Sequence, residues 1–110
     1  MLPTQEIVIS TNNDSTHKIY IIEDKSQFYS EIVFYDALTD SKYFIANLGY
    51  CNSISDAFDV AYKWVFDCST KKNQSILKIN NPCNCELISL DEQQKIVDHY
   101  GISVQVEVNA

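Results

Sequence analysis

The chain predicts an α+β fold: a mainly antiparallel sheet, made of an N-terminal meander plus a C-terminal strand, packed against two helices. Three observations carry this reading. Four segments rich in Ile, Val, Tyr and Phe follow one another from residue 5 to residue 47, separated by short polar turns. The apolar period then switches to helical spacing after Ser53, and the chain closes on a strict apolar–polar alternation. With 110 residues, 45% of them apolar, and only two glycines and two prolines, a single domain spanning 1–110 with one core is expected.

The first four strands are expected at Gln5 to Ser10, His17 to Glu23, Phe28 to Asp36 and Lys42 to Asn47. The breaks at 11–15, 24–26 and 39–41 are rich in Asn, Asp, Ser and Thr and short enough for hairpins, so an antiparallel meander is the economical arrangement. Alternation within Phe28-Tyr29-Ser30-Glu31-Ile32-Val33-Phe34-Tyr35 is imperfect, with apolar residues on both faces. That pattern suits a strand covered by a helix on one side and by a partner on the other.

Ser53 followed by Asp56 reads as a capping box with the shorter acid. Ala57, Ala61, Trp64, Val65 and Cys68 then fall on one helical stripe, and Asp56, Asp59, Lys63 and Asp67 fall opposite it. Phe58, Tyr62 and Phe66 form a second apolar row, so this helix is expected to touch two surfaces. After a polar loop, Ile76 to Ile79 reads as a short strand. Ser89-Leu90-Asp91-Glu92 opens a second helix carrying Leu90, Ile96, Val97 and Tyr100 and ending at Gly101. Ile102 to Val108 has every second residue apolar, the mark of a strand with one buried and one wet face.

Charge narrows the function. Fifteen acidic residues face eight basic ones for a net charge of −7, and every basic residue is a lysine. Without arginine the chain lacks the planar fork that grips phosphates and base edges, and its charge repels a nucleic-acid backbone, so direct nucleic-acid binding is not expected. The longest apolar runs fall far short of the ~20 residues a membrane helix needs, and the N-terminal MLPTQEIVIS lacks the pattern of a secretion signal. A cytoplasmic, membrane-free location is the expectation.

Catalytic and metal signatures are weak. The stretch NPCNCE at 81–86 places Cys83 and Cys85 two apart, but a structural zinc site needs two convergent ligand pairs, and Cys51, Cys68, His17 and His99 lie on unrelated elements. Free thiols are the expectation, with Cys68 on the apolar stripe acting as a small hydrophobe. His99 near a helix C-terminus is explained by the helix dipole, as are Asp91 and Glu92 in a first turn. No phosphate loop, nucleophile elbow or H-E-x-x-H is present. The chain is therefore expected to have no enzymatic activity, no cofactor and no metal.

What remains is surface. Tyr20, Tyr29, Tyr35 and Tyr43 lie on neighbouring expected strands, where cross-strand neighbours form one patch. Asp56, Asp59 and Asp67 line the wet side of the first helix. Together they suit a small acidic protein-interaction domain that binds and blocks, or assembles with, a partner protein of basic surface, in the style of inhibitors, immunity proteins and DNA mimics. The alternative is a homodimeric small-ligand-binding or regulatory domain that pairs through its sheet. Salt separates the two, because binding by charge weakens at high ionic strength and an apolar dimer does not.

Overall fold

The computed structural model describes residues 2–12, 15–82, 86–101 and 104–108, with the backbone alone at 45 and 46. Its elements are β1 (Thr4–Thr11), β2 (Ser15–Asp24), β3 (Gln27–Asp36), β4 (Ser41–Cys51), α1 (Ile54–Lys71), β5 (Ile76–Asn81), α2 (Leu90–Asp98) and β6 (Val106–Val108). Among the described residues one sheet contains six strands in the order β4-β3-β2-β1-β5-β6. The expected meander is present: β1 pairs antiparallel with β2, β2 with β3 and β3 with β4.

Alternation decides which side of each strand is buried. In β1 the inward residues are Gln5, Ile7, Ile9 and Thr11, and in β2 they are Ser15, His17, Ile19 and Ile21. Ile7, Ile9, Ile19 and Ile21 among them join Ala57, Phe58, Ala61, Tyr62 and Val65 of α1 in one core cluster. Two alanines one turn apart let the helix approach the sheet closely. The serine half of the expected capping box is present at both helices, with Ser53 Oγ accepting from the Asp56 amide at 3.1 Å and Ser89 Oγ from the Glu92 amide at 3.1 Å. The β2–β3 hairpin turns on Lys25-Ser26, with Lys25 in the left-handed region at φ 61°.

Three details differ from the sequence reading. The centre of the α1 face lies between the two apolar rows, so Phe58 and Tyr62 are fully buried while Trp64 and Cys68 sit at the margin. The second row meets the turn that follows α2, with Tyr62 and Phe66 rings 5.3 and 5.4 Å from that of Tyr100, so the helix does touch two surfaces. Among the described residues the C-terminal strand is Val106–Val108; residues 104 and 105 of the expected Ile102 to Val108 are not part of it, and residues 102 and 103 lie outside the described ones. It also runs parallel to β5, the one parallel pair among the described residues. The reason is α2: a helix inserted between two strands returns the chain in the same direction, as a crossover.

A buried amide cluster fastens this C-terminal unit to β1. The Gln5 carboxamide oxygen accepts from the amides of Leu87 and Ile88 at 2.6 and 2.8 Å, and its Nε2 donates to Asn81 Oδ1 at 3.0 Å and Ile88 O at 3.3 Å. Asn81 Nδ2 donates to Gln93 Oε1 at 3.0 Å and to Glu107 O at 3.3 Å. Gln93 Nε2 donates to Asn81 Oδ1 at 3.0 Å and to Ile88 O at 3.2 Å. All three side chains are buried, and every polar atom has a partner, which is what makes burial of three amides tolerable.

No helix among the described residues is long and apolar enough to cross a membrane.

Candidate interaction surface

Both helices cover the same side of the sheet, so among the described residues the other side is left open. Directly opposed residues share a face, and the register therefore writes the open surface out. Across β2 and β3 the pairs are Ile22 with Tyr29, Tyr20 with Glu31, Lys18 with Val33 and Thr16 with Tyr35. Next to them Glu6 and Val8 of β1 oppose Tyr20 and Lys18, and Phe44 and Lys42 of β4 oppose Val33 and Tyr35. Apolar and aromatic side chains thus form a band flanked by charges. Phe44 is 63% exposed and Tyr50 58% exposed, large values for rings on a sheet.

Tyrosine–carboxylate pairs recur on and around this face. Tyr20 donates its hydroxyl to Glu6 Oε2 at 3.0 Å, Tyr35 to Asp40 Oδ1 at 2.8 Å, and Tyr50 to Asp24 Oδ2 at 3.0 Å. Tyr50 also packs edge-on against Tyr29, with centroids 5.1 Å apart. Burial raises the Tyr20 phenol above its ordinary value, helped by the bond to Glu6; for Tyr35 and Tyr50 the bonds to Asp40 and Asp24 are the leading cause. Each phenol is thereby held as a donor, and each carboxylate is oriented with its other oxygen unpartnered among the described residues.

Concavities break the face, two of them within the aromatic band. One, of about 420 Å³, is lined by Leu2, Thr4, Tyr20, Ile22, Tyr29 and Glu31. The other, of about 220 Å³, is lined by Lys18, Val33, Tyr35 and Lys42. The face therefore has an acidic–aromatic half and a lysine half.

Of the tyrosines singled out in the sequence, Tyr20, Tyr29 and Tyr35 lie on the open face, Tyr29 and Tyr35 toward opposite ends of β3. Tyr43 lies on the other side. It opposes Phe34 and stacks on that ring at 6.3 Å, next to His17. The acids of α1 are on the far side of the molecule from the open face. Asp56 is exposed, Asp59 accepts the Tyr100 hydroxyl, and Asp67 is ion-paired with Lys63 at 3.0 Å. Two of those three carboxylates are thus occupied within the chain, and the acidic row and the tyrosine face form no common surface. Sequence reasoning missed Glu6, Asp24, Ile22, Val33, Phe44 and Tyr50; the period-two pattern of 16–22 and 29–35 held the signal for Ile22 and Val33, while Phe44 and Tyr50 depend on bulges in β4 that sequence does not announce.

His17, on the covered side, is 1% exposed, and its Nδ1 has no hydrogen-bond partner among the described residues. Its ring lies 4.9 Å from Phe34 and 6.3 Å from Trp64, and Lys72 Nζ sits 4.8 Å over the Phe34 ring. Burial, reinforced by the Lys72 charge, pushes the imidazole down to about 4 from 6.5. The unfolded chain takes this proton first, so the stability tied to neutral His17 is full above pH 6.5 and is lost as pH falls from about 6.5 to about 4. Against a His17→Phe variant, the wild type is expected to lose up to about 3 kcal/mol more over that window, measured by denaturant titration at several pH values. Equal losses would show that the ring is not buried neutral.

Among the described residues no three His, Cys, Asp or Glu side chains converge, and Cys51 and Cys68 are free thiols. Cys83 and Cys85 lie outside the described residues.

Fold and surface together define a class: a small α+β domain with helices on one side of a six-stranded sheet and an uncovered, aromatic, charge-flanked face on the other. Comparison with protein-family models, curated proteins and solved structures found no match for this chain.

Proposed function

We propose that this chain is a protein-interaction domain that docks a partner of basic surface on the open face of its sheet, so as to block that partner or assemble with it. The observation carrying this reading is the acidic–aromatic half of the face, where Tyr20, Tyr29 and Tyr50 surround Ile22 and the carboxylates Glu6, Asp24 and Glu31 stand among them. Stiff aromatic area with oriented carboxylates matches cationic side chains, which gain both ion pairing and cation–π contact. A net charge of −7 adds long-range attraction to the same class of partner. The helix acids are the weaker candidate, because Asp59 and Asp67 already have partners within the chain.

A second reading is favoured by the lysine half. Lys18 and Lys42 on one part of the face and Glu6 and Glu31 on the other make it complementary to a second copy turned end for end, which is how a two-fold dimer pairs through one patch.

Affinity capture from lysate of the native host tests both. The wild type, a Tyr20→Ser/Tyr29→Ser variant and an Asp56→Asn/Asp59→Asn/Asp67→Asn variant are compared at low and high salt, with folding checked by melting. A basic protein retained by the wild type and the helix variant, lost by the sheet variant and released at high salt is the expected outcome. Loss through the helix variant alone would move the site to α1. A salt-resistant dimer in sedimentation, abolished by the sheet variant and with no basic protein captured, would replace the first reading by the second.

A further inference from the structure

We propose that the concavity between β1, β2 and β3 is the seat of one arginine side chain of that basic partner; this assignment rests on the docking surface above and names what it recognises. Its lining is Ile22, only 5% exposed, with Leu2, Thr4, Tyr20 and Tyr29. Glu31 stands at its rim, directly opposite Tyr20 across the β2–β3 pairing.

Glu31 is the informative residue. It is half-buried, and among the described residues it has neither a hydrogen bond nor an ion pair. Its neighbour Glu6 is committed, accepting from Tyr20 at 3.0 Å with Lys18 Nζ 3.9 Å away. A half-buried carboxylate with both oxygens free, set in an apolar and aromatic recess, suits a ligand that is cationic at its tip, able to donate two bonds, and apolar along its stem. Arginine has that combination: a planar guanidinium that forks onto a carboxylate and stacks on aromatic faces, carried on three methylenes that cover Ile22 and Leu2. Lysine offers a point charge and leaves the fork unused. None of the 110 residues is an arginine, so no side chain among them fills this seat.

The test uses capped Gly-Gly-Arg-Gly-Gly and its citrulline and lysine counterparts, titrated at low salt into labelled protein and followed by NMR. The arginine peptide is expected to shift the side-chain signals of Leu2, Tyr20, Ile22 and Tyr29, and the isosteric, neutral citrulline peptide to bind about tenfold more weakly. Glu31→Gln is expected to weaken the arginine peptide by a similar factor while leaving the citrulline peptide unchanged, which also shows the recess intact. Citrulline binding as well as arginine, shifts spread evenly over the face, or a Glu31→Gln variant that binds arginine like wild type would each overturn the assignment. Equal affinity for the lysine peptide would overturn the choice of guanidinium. If the peptides fail while the captured partner is still lost with Tyr20→Ser/Tyr29→Ser, only the arginine seat falls; if that variant retains the partner, the docking surface falls as well.

Discussion

Phe58→Ala is expected to lower the unfolding free energy by about 3–5 kcal/mol, a large share of the ~5–15 kcal/mol that holds a domain of this size together. Phe58 is completely buried, stacked on Tyr62 at 5.9 Å, and belongs to the cluster that joins α1 to Ile7, Ile9, Ile19, Ile21 and Ile32. Truncation removes the transfer energy of the ring and leaves a hole between rigid partners, since neither a six-stranded sheet nor a packed helix collapses easily. Trp64→Ala is expected to cost less, although tryptophan is larger, because Trp64 lies at the margin of the core. Denaturant titration of both variants checks the order. A milder effect at Phe58 than at Trp64 would mean that the helix is rotated toward the stripe of Ala57, Ala61, Trp64 and Cys68.

Gln5→Leu is expected to cost roughly 2–4 kcal/mol even though it exchanges a polar buried side chain for an apolar one of similar size. Its carboxamide oxygen accepts from two backbone amides, Leu87 and Ile88, and leucine offers them nothing. Each buried donor left without a partner costs about 1–3 kcal/mol, and Asn81 and Gln93 lose a member of their network as well. The damage should be local at first. Hydrogen exchange at Leu87 and Ile88 should accelerate by a larger factor than at Ile19 or Ile21 in the middle of the sheet. A variant as stable as wild type, with those two amides still protected, would show that the loop before α2 is held by something other than Gln5.

These two residues also mark what the sequence could and could not convey. The four-strand meander, α1, its cap and the position of α2 follow from period and turn chemistry, which act over a few residues. Phe58 was legible as part of a second apolar row, but the choice of which row faces the sheet depends on where α2 docks, a long-range fact. Gln5 and Gln93 read as polar positions, and nothing local identifies them as buried; their partners, Asn81 and the 87–88 backbone, are distant in sequence from Gln5. The parallel pairing of β6 is of the same kind, since Ile102 to Val108 alternates in either direction. At the candidate surface, tyrosines on adjacent strands could be counted from sequence, but the face each one occupies depends on register. A step of one residue separates Tyr35, opposite Thr16 on the open side, from Phe34, whose partner Tyr43 lies on the covered side.

The chain's seven tyrosines supply the most direct test of the open face as the binding surface. With the rings carbon-13 labelled and the captured basic protein added, the signals of Tyr20 and Tyr29 should move or broaden, while Tyr62 and Tyr100, packed together between α1 and the turn that follows α2, should stay in place. Tyr100 is hydrogen-bonded to Asp59 and so reports on the acidic side of α1. Displacement of the Tyr100 signal with Tyr20 and Tyr29 unchanged would contradict the account and put the partner on the helix.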